Sequence, residues 1–268
     1  MREVVLRVPA AALEDVLDRL LPIVPGGVRE RPLGQRNLEL RMRGETVPAL
    51  ADLSNALGPL PHQIREHEVS DDWRERRLAE YSSDVIGGRI VVRPPWAPAP
   101  DPGLIDVVLA ESSAFGSGMH PTTRACLELL LELEPGGSFA DLGCGSGVLA
   151  IVAARLGWGP LVAVDVQPLS VQTARENAKR NGMEIEIDVA DLLQVRAPTA
   201  DGFAANLPAA VHARIAASWH AEAPRAGLIS GFGEGDADAV IRGYESCGLR
   251  ERRRLTRDGW VVSEVRRD

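Results

Sequence analysis

The sequence predicts an α/β protein: a doubly wound, mostly parallel sheet with helices on both faces, preceded by a small α+β unit. Three observations carry that prediction. From Leu104 onward, short apolar runs alternate with stretches of helical spacing, the pattern of strand–helix–strand units in a parallel sheet. Within them, Asp141-Leu142-Gly143-Cys144-Gly145-Ser146-Gly147 joins an apolar run (Ser138 to Ala140) to a helix-compatible one (Val148 to Leu156). That is a strand, a glycine turn and a helix start. Residues 1–68 follow a different order, βαββαβ, the ferredoxin-like split motif.

The elements follow in chain order. Glu3 to Val8 alternates as a strand, and Ala11 to Leu21 places Leu13, Val16, Leu17 and Leu20 at helical spacing. Pro25-Gly26-Gly27 turns the chain into a hairpin of Val28 to Arg31 and Asn37 to Arg43. Val47 to Leu57 is a second helix, stopped by Gly58-Pro59, and Gln63 to Val69 a last strand. This unit, 1–68, is expected to recognise the substrate. Residues 69–103 are a linker: a charged helix from Asp71 to Ser82 carrying Trp73, a short strand pair from Ile86 to Pro95, and a stiff proline-rich loop to Pro100. Residues 104–268 form the large domain. Its strand cores are Ile105–Leu109, Phe139–Leu142, Leu161–Val164, Ile185–Val189, Gly202–Asn206, Gly227–Ser230, Leu249–Leu255 and Trp260–Val265, the last two an antiparallel pair.

Composition narrows the function. The 268 residues carry a net charge of −8, which does not fit a general nucleic-acid surface but welcomes a basic protein. No apolar run approaches the ~18 residues of a membrane span. The N-terminus, Met1 to Arg7, lacks the apolar core of a signal peptide, so a cytoplasmic protein is expected. Cys126, Cys144 and Cys247 are odd in number and far apart, with no metal-ligand spacing. Cys144 reads as a small buried filler rather than a nucleophile. A monomer without a bound metal is expected.

The glycine loop and the residues around it suggest a ligand. Asp141 before the first glycine would repel phosphate but could hold an ammonium group. The third glycine comes one residue too early for a dinucleotide fingerprint. Asp165 ends the next strand about 20 residues beyond the first glycine, where a ribose-binding carboxylate belongs; otherwise it caps the following helix. A cationic adenosyl compound, S-adenosylmethionine, fits this set. The backbone of Gly143 and Gly145 would let it approach closely. Asp191 ends another strand and either binds the adenine amino group or caps a turn, and Asn206 ends a further one. All of these lie at predicted carboxyl ends of strands, where such sheets bind ligands.

A second motif lies upstream: Ala114-Phe115-Gly116-Ser117-Gly118-Met119-His120-Pro121-Thr122-Thr123, leading into a helix from about Arg124 to Leu133. Its glycines suit a mobile lid, and its threonines cap the helix or reach into the site.

Together the two motifs resemble the ribosomal protein L-eleven methyltransferases, the PrmA-type enzymes. The likeness continues at Val164 to Pro168, Glu176 to Gly182 and Ala205-Asn206-Leu207, and upstream at Asp72-Trp73 and Val92 to Trp96. It implies a seven-stranded Rossmann-like methyltransferase sheet and S-adenosyl-L-methionine as cofactor. It also implies transfer of methyl groups to amino groups of ribosomal protein L-eleven. Thr123 would contact the cofactor's amino-acid end, Gly143 its methionine moiety and Asp165 the ribose. Asn206 would sit beside the transferring methyl and the target amine, as the catalytic residue. The sequence departs from the family pattern at Glu111-Ser112-Ser113, at Ser117 and at Pro208. Those departures leave room for another protein or a small-molecule substrate, or for a non-catalytic cofactor-binding module.

Overall fold

The computed structural model describes the chain except residues 1, 10–11, 21–22, 25–27, 34–36, 44–46, 69–84, 111–119 and 220–221. The expected helix at Asp71 to Ser82, the glycine lid at 116–118 and the departures at 111–117 lie outside the described residues. The chain divides into two compact units, Met1–Tyr81 and Ser82–Asp268.

The first unit has strands β1 (Arg2–Pro9), β2 (Arg29–Leu33), β3 (Asn37–Arg43) and β4 (Gln63–Glu68) and helices α1 (Leu13–Leu20) and α2 (Leu50–Leu57). The sheet order β2-β3-β1-β4 is antiparallel throughout, the arrangement expected of a split βαβ motif. Alternation builds it. Val4, Leu6 and Val8 on one face of β1 pack with Leu40, Met42, Val16, Leu20, Leu53 and Leu57. The other face is charged: Glu39 accepts from both Arg7 and Arg41 at 2.9 Å. The hydrogen bond from Arg41, then that from Arg7, lowers the Glu39 pKa.

In the second unit β5 (Val85–Ile86), β6 (Ile90–Arg93) and β7 (Ile105–Val108) form a small sheet of their own. This corrects the expectation that Ile105–Leu109 opens the large sheet. β7 pairs in parallel with β6 instead. Its far side is claimed by side chains: Asn181 Oδ1 accepts from Val108 N at 2.9 Å while Asn181 Nδ2 donates to Val108 O at 2.8 Å.

Helix α3 (Pro121–Leu130) leads to the large sheet. There β8 (Phe139–Leu142), α4 (Val148–Leu156), β9 (Leu161–Asp165), α5 (Pro168–Arg180) and β10 (Glu186–Val189) are followed by β11 (Gly202–Asn206) and α6 (Ala209–Trp219). Then come β12 (Ala226–Gly233), α7 (Glu234–Glu245), β13 (Leu249–Arg257) and β14 (Trp260–Arg267). The order is β10-β9-β8-β11-β12-β14-β13, with β14 alone reversed: it pairs antiparallel with β12 on one side and with β13 on the other. Successive residues of a strand point to opposite faces, so one sheet builds two cores. Ala140, Phe203, Ala205 and Ile229 pack on the α6–α7 side with Trp219 and Tyr244. Phe139, Ala204 and Leu228 pack on the α3–α4 side with Leu127, Ile151 and Val107. No described helix is long and apolar enough to cross a membrane.

Candidate functional site

The loop from β8 to α4 is shaped by its glycines. Gly143, Gly145 and Gly147 have φ of 75°, 53° and 79°, values that L side chains adopt only under strain. Space is short as well: a Cβ on Gly143 would lie 2.3 Å from Leu207 Cδ2. The amides of Gly143, Cys144, Gly145 and Gly147 are already hydrogen-bonded within the protein. Gly143 N and Cys144 N donate to Val164 O at 2.8 and 2.9 Å, and Gly147 N to Cys144 O at 2.7 Å. Gly145 N donates to Asp165 Oδ2 at 2.9 Å. A phosphate would have to break these bonds, so the loop does not offer the nest that a pyrophosphate needs. It offers bare backbone instead.

Asp165, at the end of β9, is half-buried. Its second oxygen, Oδ1, accepts from Gln167 N at 2.9 Å, just ahead of α5. The carboxylate therefore joins the glycine loop to the next helix start and still has lone pairs for a ligand's hydroxyls. The structure thus shows Asp165 holding the backbone just ahead of the helix, with acceptor capacity to spare.

Asp141 requires a correction. It is 1% exposed, beneath the loop rather than lining it, and Oδ2 accepts from Ala150 N at 3.0 Å. Burial pushes its pKa up to about 7, against the lowering effect of the Ala150 N–H and with a smaller push from the charge on Asp165. A carboxylate so enclosed holds the first turn of α4 and does not reach an ammonium group. Asp191 shows the cap geometry: Oδ1 accepts from Leu193 N at 2.9 Å and Oδ2 from Gln194 Nε2 at 2.6 Å. Cys144 is buried and its thiol is raised above its ordinary range by that burial, the surroundings of a filler.

The second cluster gathers around Asn206. Helix α3 is capped by His120, whose Nδ1 accepts from Thr122 N at 3.3 Å. That nitrogen lies 2.7 Å from Thr122 Oγ1. Since Nδ1 accepts, the hydroxyl donates to it and accepts in turn from Asn206 Nδ2 at 3.1 Å. The amide of Asn206 is thereby oriented, with Oδ1 left to accept. Thr123 is buried in the same turn, 2% exposed. Of the threonine pair it is Thr122 that the structure joins to Asn206, and sequence reasoning missed it. The exposed ring of Trp260, at the start of β14, stands edge-on to His120 with centroids 5.5 Å apart.

Two further groups were not legible beforehand. Asn177 is fully buried. It accepts from Ala110 N at 2.9 Å and donates to Ser146 O at 3.0 Å, tying the end of β7 to the glycine loop. His212 is also fully buried, and burial pushes its pKa down to about 4.

Asp141 and His212 have opposite linkage. The unfolded chain takes up a proton on His212 below its ordinary pKa of 6.5, which the folded chain does not until about 4. Stability from this group falls as pH drops through that window. Folded Asp141 keeps its proton up to about 7, whereas the unfolded carboxyl loses it near 3.8, so stability from this group rises as pH drops. Each slope is about 1.4 kcal/mol per pH unit, and the two offset one another between about pH 4 and 6.5. Urea unfolding at stepped pH is expected to expose the hidden slopes. Relative to the parent protein, His212→Gln gains stability as the solution is acidified and Asp141→Asn loses it. Parallel pH profiles for all three proteins would refute the assignment.

Among the described residues, no group of three or more His, Cys, Asp or Glu side chains is placed to hold a metal ion. Known proteins resemble this chain over much of its length. The profile of the family described as ribosomal protein L11 methyltransferase (PrmA) matches residues 41–268. A protein named ribosomal protein L11 methyltransferase from Cupriavidus pinatubonensis is 38% identical over 208 residues, 75% of this chain and 69% of that one. One of the same name from Burkholderia multivorans is 38% identical over 174 residues, 62% of this chain and 58% of that one. The chain thus matches between about half and two thirds of such relatives' length. The fold resembles the crystal structure of a ribosomal protein L11 methylase from Lactobacillus delbrueckii subsp. bulgaricus. The TM-score is 0.60 at 20% identity, over 69% of this chain and 97% of that one.

Proposed function

The chain belongs to the ribosomal protein L11 methyltransferase family, and from that premise we propose that it transfers methyl groups from S-adenosylmethionine to amino groups of ribosomal protein L-eleven. The observation that carries this reading is the convergence, at the carboxyl ends of β8, β9 and β11, of a bare-backbone glycine loop, the half-buried carboxylate of Asp165 and the oriented amide of Asn206.

The residues fit that cofactor. Asp165 would accept from the ribose hydroxyls and Gly143 and Gly145 would admit the methionine chain; Thr123, 2% exposed, would back the amino-acid end without lining it. Asp191, already a turn cap, has lone pairs left for the adenine amino group. Val166 and Leu169 after β9, and Val189 and Leu193 at and after the end of β10, are all exposed and would supply apolar surface for the base. When bound, S-adenosylmethionine supplies an electrophilic methyl on a sulfonium, a good leaving group.

The protein's own contribution is positional. The target amine must be neutral to attack, and Asn206 Oδ1 would accept from its N–H and aim the lone pair. The Asn206 amide cannot rotate freely, because Thr122 and His120 hold its other end. The amine's proton would pass to water. Residues 1–68 would dock the substrate, and the reaction would take place in the cytoplasm.

Incubation with a labelled methyl donor and the ribosomal proteins of the same organism tests this. Label in one small basic protein, L-eleven, is expected; label in RNA or in a metabolite would overturn the reading. Asn206→Ala should lower kcat by about tenfold and leave the cofactor Kd within about threefold. A full rate would remove Asn206 from the chemistry.

A further inference from the structure

Between β11 and α6 the chain passes through Asn206, Leu207 and Pro208, and the carbonyl of Leu207 faces inward. Leu207 N donates to Ser230 O at 2.8 Å. Leu207 O lies 3.0 Å from His212 Nε2, and the same ring nitrogen lies 2.9 Å from Ser230 O. A nitrogen between two carbonyl oxygens must carry the proton, so Nε2–H is shared between β12 and the Asn206–Leu207 turn. The other nitrogen, Nδ1, then accepts, and Tyr244 donates to it from 2.8 Å. The ring is 0% exposed and stands edge-on to Phe232 (centroids 5.1 Å) and to Tyr244 (5.8 Å).

The turn so held touches the site on two sides. Asn206 reaches Thr122, and the side chain of Leu207 lies against Gly143, leaving no room there for a Cβ. At Leu207 the described hydrogen bonds to the core are two, its N–H to Ser230 O and its carbonyl to His212.

We propose that His212 is a positioning residue for the transfer step: with Tyr244 behind it, it fixes the Asn206–Leu207 turn against β12, so that Asn206 is held toward the target amine and Leu207 against the glycine loop. This rests on the methyl-transfer reading given above. Any fully buried neutral imidazole needs a partner for each nitrogen; what sets this one apart is where its proton goes. This one uses both nitrogens, and it spends its single proton on the backbone next to Asn206. Its neutral form persists because burial disfavours the charge. An imidazolium would donate from both nitrogens and force Tyr244 to turn its hydroxyl away.

His212→Phe keeps an aromatic ring and deletes both contacts. Its cofactor Kd and its KM for L-eleven should stay within about threefold, while kcat falls by about three- to tenfold, no further than in Asn206→Ala. Amide hydrogen exchange should quicken in peptides covering 206–208 and stay unchanged at 226–229, where a general loss of stability would raise both. His212→Gln restores an N–H near the Nε2 position and should recover part of kcat. Tyr244→Phe should lose about two- to fivefold in kcat. A His212→Phe protein with parental kcat and parental exchange at 206–208 would overturn the proposal. If that variant does not fold, Tyr244→Phe decides, and parental exchange at 206–208 counts against it. If the parent binds cofactor but methylates nothing, the functional reading fails, and the exchange measurement still judges the positioning.

Discussion

Gly231→Ala is expected to destabilise the second unit by about 4 kcal/mol, counting backbone strain and overpacking together, and to abolish methyl transfer. Gly231 sits at the irregularity in β12 where the pairing with β14 shifts between Ser230 and Phe232. Its φ is 91°, and a Cβ there would lie 2.5 Å from both the N and the O of Leu207. The obstacle is main chain, anchored by the hydrogen bonds of Leu207 to Ser230 and His212, and it cannot step aside. Gly143→Ala makes the contrast. Its Cβ would come even closer, 2.3 Å, but to the far end of the Leu207 side chain, which can swing to another rotamer. Distance alone would rank Gly143 as the more costly site. The nature of the atom reverses the order. Since a small domain is stable by only about 5–15 kcal/mol in all, the Gly231 variant should be largely insoluble or should unfold at markedly lower urea. A variant within about 1 kcal/mol of the parent would show that the turn at Leu207 is not held as described.

Most strands of the large sheet were legible because they are short apolar runs closed by glycine, proline or a polar residue; β10 and the arginine-rich β13 instead alternate or are largely charged, and were placed by the turns around them. The glycine loop and Asp165 were legible for the same local reason. What escaped the sequence depends on partners far along the chain. Ile105 to Val108 has the composition of a strand of the large sheet. Its pairing with β6 is decided by Asn181, 73 residues on from Val108. Thr122 and Thr123 are equivalent as letters, and only the cap at His120 settles which of them meets Asn206. His212 looks like any polar residue of α6 until Tyr244, 32 residues later, is brought behind it. Asp141 was assigned a ligand because its place before the glycines was visible and its burial was not. The error has a physical source: a sequence shows which groups are near in the chain, while desolvation is a property of what covers them.

Asp165→Ala is expected to weaken cofactor binding by about 100- to 1,000-fold, the worth of two lost hydrogen bonds to a charged acceptor. The carboxylate does two jobs, which can be separated. One is internal: Oδ2 and Oδ1 accept from Gly145 N and Gln167 N, both at 2.9 Å. These bonds hold the glycine loop and the start of α5 at fixed distance in the free protein. The other is external, the remaining lone pairs that would meet two ribose hydroxyls. Asparagine keeps one acceptor oxygen and replaces the other by a donor, so Asp165→Asn should lose one bond of each kind and fall between the parent and alanine. The ribose is remote from the methyl group and is gripped equally before and during transfer. The loss should therefore be seen in Kd and should vanish from kcat once cofactor is saturating. Asn206→Ala should show the reverse split. Calorimetric titration with S-adenosylmethionine and a saturated rate with L-eleven measure the two separately. An Asp165→Ala protein that bound the cofactor as tightly as the parent would mean that the ribose lies elsewhere, and that this carboxylate serves only to tie the loop to the helix.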